Sequence, residues 1–344
     1  MIANIQTLRA FAATAVVCFH VVGIAENYGF PTELGRLFVP WGAGGVDIFF
    51  VISGFLMVYI QQRRPKSPMA FMWNRAVRIL PLYWSLTLLI IALQILAPFV
   101  FRSNFVTMET IVASLGFISI YTTGSPIIYV GWSLEYEILF YIIFSLAIFA
   151  PKLRYGALIV GAALVLLVLA GILKPLAFEF LFGMGLAFLF RKETWNTRPV
   201  YASILLCGGL LLLFFSSVFM QGEQMRLIYW GIPAVLIVAG ALLLPQWSSP
   251  LALLLGNASY AIYLVQVLTL PVLFKAGVIV GLPSSAGYVL AFASIAFTLV
   301  FGCATHLLLE KPLDRLFRKT LPAFFREARP RKANTVSSKN SVGE

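Results

Sequence analysis

Apolar stretches of about 20 residues follow one another along most of this chain. A stretch of that length can cross a bilayer as a helix, and the 11% of charged residues is far below the roughly 25% typical of soluble domains. The pattern predicts an all-α, polytopic transmembrane helical bundle over residues 1–312 and a basic, partly disordered cytoplasmic tail over 313–344. About ten spans are predicted, at 6–25, 42–61, 77–98, 131–150, 155–173, 176–190, 200–219, 227–245, 256–275 and 286–309.

The basic residues are distributed unevenly between the predicted loops. With both termini cytoplasmic, 20 of the 25 Lys and Arg residues fall on the cytoplasmic side, as the positive-inside rule requires. Loop and tail bases therefore account for the net charge of +12, and no nucleic-acid partner is expected. The remaining bases are predicted to lie outside: Arg36, Arg102, Lys174, Arg226 and Lys275.

Arg9 and His20 both lie in the first predicted span. Ionisable groups inside a bilayer are costly and are treated as functional candidates. Eleven helical positions return to within roughly 20° of the starting direction and rise by roughly 16 Å. The two side chains are therefore expected on one face, as in a tunnel wall, with Arg9 near a membrane surface and His20 deep inside. Histidine is the usual general base near neutral pH; the alternative is a histidine that merely hydrogen-bonds a neighbouring helix.

The second and third spans carry further candidates. Ser53 precedes Gly54 in the second span, where small residues also permit close helix approach. Arg75 and Arg78 are three residues apart and share a helix face at the inner end of the third span. Guanidinium groups bind phosphate bidentately, so this pair predicts a phosphate clamp; the alternative is a positive-inside membrane anchor.

Two carboxylates lie near the outer end of the fourth span. Glu135 and Glu137 point roughly 200° apart on a helix, so one of them at most faces the bundle interior readily. Glu137 shares its face with Ser133 and Tyr141 and is the better candidate, with a helix–helix ion pair as the alternative.

The predicted topology sorts these charges by depth. The three arginines fall at the cytoplasmic face, and His20, Asp47, Glu135 and Glu137 fall in the outer half. A basic mouth leading to an acid–base cluster suits a nucleotide-bearing donor whose long arm reaches inward. No metal site is expected.

Six segments follow one another along the chain: Arg9-x10-His20, VDIFFVISGF (46–55), MWNRAVRILPLYW (72–84), WSLEYEILFY (132–141), LGNASYAIYL (255–264) and Glu310-Lys311-Pro312-Leu313. In this order they resemble the membrane-bound acyltransferase-3 family, and within it the bacterial exopolysaccharide-production acetyltransferases of the succinoglycan type. One departure is that many members have a histidine shortly after the fifth segment, where this chain has Val265-Gln266-Val267.

The resemblance implies a multi-pass protein of the bacterial inner membrane that uses acyl-CoA, usually acetyl-CoA, as donor substrate, with no permanently bound cofactor. The implied acceptor is a sugar hydroxyl on a lipid-linked oligosaccharide or polysaccharide. The family makes His20 the catalytic residue and Arg9 important with it, while Ser53 and Glu137 occupy motif positions.

The resulting hypothesis assigns each of these residues a role. Arg75, Arg78 and Arg9 bind the CoA phosphates, and His20 acts as general base or carries the acyl group. Glu137 orients His20, and Ser53 donates to the developing oxyanion.

Two other classes fit a polytopic chain with intramembrane charge. A transporter or flippase for a sugar or lipid is disfavoured because the sequence has no repeat symmetry and no pair of broken central helices. A polysaccharide polymerase would need a large outer loop, for which only residues 99–130 are available.

Overall fold

The computed structural model of the chain describes residues 2–33, 35, 40–101, 106–190, 199–219 and 225–319, and these residues form helices and connecting turns with no strand. Arg36, Arg102 and the predicted disordered end of the tail, 320–344, lie outside the described residues. The α-helices are α1 (Ala3–Asn27), α2 (Gly45–Arg63), α3 (Pro68–Leu96), α4 (Met108–Gly116), α5 (Ser119–Thr122), α6 (Trp132–Ala147), α7 (Leu153–Leu169), α8 (Phe178–Leu189), α9 (Pro199–Phe219), α10 (Ile232–Leu243), α11 (Pro250–Val280), α12 (Gly287–Thr305) and α13 (Lys311–Lys319).

The long apolar helices coincide with the predicted spans. Among the described residues, 6 helical segments are long and apolar enough to cross a membrane. These segments contain α1, α2, α3, α6, α11 and α12. Four shorter apolar helices, α7 to α10, coincide with the other four predicted segments. The all-helical architecture is confirmed, whereas the count of ten spans and the side of each terminus stay predictions.

Local sequence explains where α3 and α11 begin and where α11 ends. α3 and α11 each start with a proline that follows a serine N-cap, Ser67 and Ser249, whose hydroxyl accepts a backbone N–H of the first turn. Proline suits this position because its missing N–H would lack a helical partner there anyway. α11 ends at Gly281, whose φ of 74° is a left-handed conformation that glycine adopts without strain.

Glycines bring neighbouring helices into close contact. A Cβ at Gly54 of α2 would collide with the carbonyl oxygen of Phe180 in α8, and a Cβ at Gly183 of α8 would collide with the carbonyl oxygen of Val51. Small residues at membrane helix contacts allow such approach, as predicted for Gly54. Gly256 of α11 lies against the backbone of Gln6 in the same way, and α1 and α11 run side by side in the same direction.

The segment between α3 and α6 folds back on the bundle as α4 and α5. Its apolar stretch, residues 110–121, is too short to cross a bilayer. Glu135 of α6 is 1% exposed and accepts hydrogen bonds from the backbone N–H groups of Ser119 (3.1 Å) and Ile120 (2.9 Å). Glu135 therefore holds α5 against the N-terminal end of α6.

Candidate functional site

A cavity between α1, α2, α3, α6 and α11 collects five of the six predicted site residues. We call it the arginine cavity; its volume of about 90 Å³ is enough for a few water molecules. Three tyrosines of α6 and α11 and Ser259 also line it. The predicted residues that line it are Arg9, Ser53, Arg75, Arg78 and Glu137.

Two of the three arginines contact neutral groups. Arg9 donates to Ser259 Oγ at 2.9 Å, and the guanidinium of Arg75 lies over the ring of Tyr141, 5.9 Å from its centroid. Within the described part of the chain, none of the three has a carboxylate within the 4.0 Å of an ion pair. Arg78 lies close enough to both others for direct electrostatic repulsion. Glu137 also lines the cavity, so one carboxylate stands against three guanidinium groups, and the remaining positive charge favours an anion there.

Glu137 lies at the wall of the same cavity and is held by two hydroxyl groups. Its Oε1 accepts a hydrogen bond from Ser53 Oγ and another from the hydroxyl of Tyr141. The prediction that Glu137 and Tyr141 share a face is therefore confirmed. Glu135, two residues earlier, points away to α5 and is also buried, so the expectation that at most one of the two carboxylates readily faces the interior is wrong.

His20 lines a different cavity, of about 450 Å³, together with Glu26, Asn27 and Tyr129. Its Nδ1 lies 3.1 Å from Oε1 of Gln266 in α11. The imidazole also makes edge contacts with the rings of Phe19 and Tyr129, each at a centroid distance of 5.2 Å. These contacts hold the ring in one orientation at the wall of an open cavity.

The expected tunnel wall is therefore only partly present. Arg9 and His20 do share a face of α1, because both contact α11, through Ser259 and Gln266. However, they line separate cavities. Tyr263 connects the two sites through α11: its side chain lines the arginine cavity, while its carbonyl oxygen accepts a hydrogen bond from Gln266.

Two predicted pairings within the site are wrong for this structure. Glu137 was expected to orient His20 from the outer half, but it lines the arginine cavity and His20 contacts Gln266 instead. Ser53 was expected to face an oxyanion near His20, but it lies in the arginine cavity and donates to Glu137. Sorting by depth failed here because Glu137 lies at the level of Arg9, whose cavity it lines, and not at the level of His20, roughly 16 Å further along α1. The catalytic role of His20 stays a prediction.

Sequence reasoning also missed a buried ion pair and a histidine partner. Asp47, which the sequence placed in the outer half without a partner, is fully buried and forms a two-point ion pair with Arg226 at 2.8 and 3.1 Å. Buried Glu179 lies beside this pair. The sequence showed Gln266 only as part of Val265-Gln266-Val267, where many family members have a histidine. That departure was the one sequence signal for the partner of His20.

Comparison with known proteins identifies the family. A family model described as an acyltransferase domain, Acyl_transf_3, matches residues 2–307. The Exopolysaccharide production protein ExoZ of Rhizobium meliloti (strain 1021) is 33% identical over 296 residues, which cover 80% of this chain and 90% of that protein. No solved structure matches the chain. The chain therefore belongs to the acyltransferase-3 family and is a polytopic membrane protein.

Proposed function

We propose that this protein is an acyl-CoA-dependent O-acyltransferase. It moves an acetyl or other short acyl group to a sugar hydroxyl of a cell-surface or lipid-linked polysaccharide at the bacterial inner membrane. Membership of the acyltransferase-3 family and the name of the relative support acyl transfer in exopolysaccharide production. The observation that carries the choice of donor is the arginine cavity.

The arginine cavity offers an anion-binding site of the kind that a CoA phosphate requires. Three guanidinium groups converge on it, and no carboxylate among the described residues pairs with them. Arginine binds phosphate oxygens through two parallel hydrogen bonds. Because the cavity has a volume of only about 90 Å³, the donor must widen it, with its phosphates at the arginines and its pantetheine arm directed between the helices.

The other cavities give a sugar acceptor a route to His20. The cavity of His20 shares Ile24, Asn27 and Tyr129 with a neighbouring cavity of about 570 Å³. Hydroxyl and amide groups suit a carbohydrate, which presents many hydrogen-bonding groups at fixed positions. The polar residues of the neighbouring cavity include Asn27, Thr110, Thr123 and Ser125.

The chemistry assigned to His20 is deprotonation of the acceptor. The sugar oxygen attacks the thioester carbonyl carbon while the imidazole takes the hydroxyl proton. The carbon–sulfur bond then breaks, and the sulfur leaves as CoA, which takes up the proton. For this attack the thioester must reach His20 from the arginine cavity, which Tyr263 lines. The hydroxyl of Tyr263 bonds to Ser133 Oγ at 2.7 Å and to the Val130 carbonyl at 2.8 Å. We assign to Tyr263 the movement that joins the two cavities when donor is bound.

The test is acyl transfer by purified protein. Acetyl-CoA carrying a labelled acetyl group should label polysaccharide or lipid-linked oligosaccharide isolated from a strain that lacks the gene. His20→Ala should abolish labelling while the thermal unfolding profile stays that of the wild type. Turnover retained by a folded His20→Ala protein would overturn the assignment. Proton NMR of surface polysaccharide from the deletion strain should show loss of one acyl signal.

A further inference from the structure

Gln266 is the side-chain partner of the imidazole of His20. It is 0% exposed, on the face of α11 that packs against α1, and its Oε1 lies 3.1 Å from Nδ1 of His20. A buried amide is costly unless its donors and acceptors are paired. Gln266 meets this requirement through two contacts, and together they determine which way round the amide lies.

The second contact fixes the orientation of the Gln266 amide. Its nitrogen, Nε2, lies 2.7 Å from the backbone carbonyl oxygen of Tyr263. That oxygen can only accept, so the NH₂ end must face it. A reversed amide would place two acceptor oxygens, Oε1 and the Tyr263 carbonyl oxygen, in contact. Oε1 is therefore the end that faces His20.

The orientation of the amide determines the tautomer of the imidazole. An amide oxygen only accepts, so Nδ1 of His20 must donate and must carry a proton. In a neutral imidazole the other nitrogen, Nε2, then holds the lone pair. In a neutral imidazole, the ring nitrogen that faces a hydrogen-bond acceptor is the one that carries the proton.

We infer that Gln266 is a positioning residue for His20: its amide keeps the proton on Nδ1 and so presents Nε2 as the base that accepts the sugar proton. This is the part that a carboxylate plays behind histidine in other acyl-transfer sites. A neutral amide provides the same orientation without placing a charge deep in the bundle. The inference rests on the proposed role of His20.

Three variants separate positioning from packing. Gln266→Met keeps the size and burial of the side chain but removes the acceptor. Gln266→Glu keeps an oxygen for Nδ1. Gln94→Met is the matched control, because Gln94 is also buried in a long apolar helix, α3, and lines neither of the two cavities.

Kinetics of acyl transfer give the first readout. Gln266→Met should lower kcat by about 10²-fold or more, since general-base catalysis contributes about 10²–10⁴-fold. The KM for acetyl-CoA should change less than about threefold, because the donor binds elsewhere. Gln266→Glu should recover activity to within about tenfold of wild type, and Gln94→Met should match wild type. A Gln266→Met enzyme with at least half of the wild-type kcat would overturn the inference.

The tautomer itself gives a readout that needs no activity. The chain has only 2 histidines, so ¹⁵N-histidine labelling yields two ring patterns, and the one that disappears in His20→Ala belongs to His20. Wild-type His20 should show a protonated Nδ1 and a non-protonated Nε2, and Gln266→Met should alter this pattern. A neutral wild-type ring protonated on Nε2 overturns the inference even if Gln266→Met fails to fold. Activity retained by His20→Ala would instead overturn the proposed function.

Discussion

Replacing Arg78 by glutamine removes one of three positive charges from the arginine cavity and leaves its polar, hydrogen-bonding character. Arg78 is half-buried and lies near Arg9 and Arg75, without a carboxylate ion-pair partner among the described residues. Its charge is therefore available to a ligand, and its loss breaks no ion pair between the residues that the structure describes. The ligand-free variant should be at least as stable to heat as wild type, because repulsion inside the cluster falls.

The expected loss of donor affinity follows from hydrogen bonding to a charged group. Such bonds contribute about 1.5–3 kcal/mol each. Since every 1.4 kcal/mol is a factor of ten, Arg78→Gln should raise the KM for acetyl-CoA by roughly 10- to 100-fold. The kcat should change by no more than about threefold, because Arg78 lies in a different cavity from His20.

The decisive assay compares two donors. Acetyl-CoA carries phosphates, whereas acetyl-pantetheine has the same thioester and none. With acetyl-pantetheine, wild type and Arg78→Gln should have the same kcat/KM within about twofold. CoA alone should raise the thermal unfolding temperature of wild type more than that of the variant, since stabilisation by a ligand grows with its concentration relative to Kd.

The control is Arg154→Gln, which removes an exposed arginine that packs over Tyr155 outside the cavity. It should leave the KM for acetyl-CoA unchanged. If Arg78→Gln loses as much activity with acetyl-pantetheine as with acetyl-CoA, Arg78 does not bind the CoA phosphates and the donor assignment is wrong.

Three further substitutions test the structure around the site, each by thermal unfolding in detergent. Gly183→Ala should destabilise by about 1–3 kcal/mol because its Cβ would enter the backbone of α2, whereas Gly161→Ala, which meets nothing within 4 Å, should be neutral or stabilising. Asp47→Asn removes the buried carboxylate that ion-pairs with Arg226 and should cost up to about 3–5 kcal/mol, against less than about 1 kcal/mol for Asp314→Asn at an exposed pair. Glu135→Gln should cost about 1–3 kcal/mol through one lost backbone partner while kcat is retained; a large loss of kcat at unchanged stability would contradict this purely structural role.

Features that depend on a single helix could be predicted from the sequence. Arg9 and His20 face the same neighbour because eleven residues nearly complete three turns, and both contact α11. Glu135 and Glu137 diverge because two residues turn a helix by about 200°, and they do contact different elements. Close packing at Gly54 followed from the absence of a side chain.

Features that depend on lateral order could not. A helix surrounded by lipid and by other apolar helices has no polar stripe that tells its inner face from its outer face. Asp47 and Arg226 are 179 residues apart, and the sequence around either residue does not indicate the other as its partner. Glu137 was matched to His20 by its predicted depth, but its neighbours are Ser53 and the arginines, so its depth in the bundle was also misjudged.

The pairing of α1 with α11 has a consequence for biosynthesis. The partners of Arg9 and His20 lie 250 and 246 residues further along the chain. At about 5–20 residues per second, a ribosome needs roughly 12–50 s to supply them. Throughout that interval the first helix holds a guanidinium and an imidazole whose α11 partners, Ser259 and Gln266, have not yet been made. A nascent chain that stops before α11 therefore keeps both groups without these long-range hydrogen bonds.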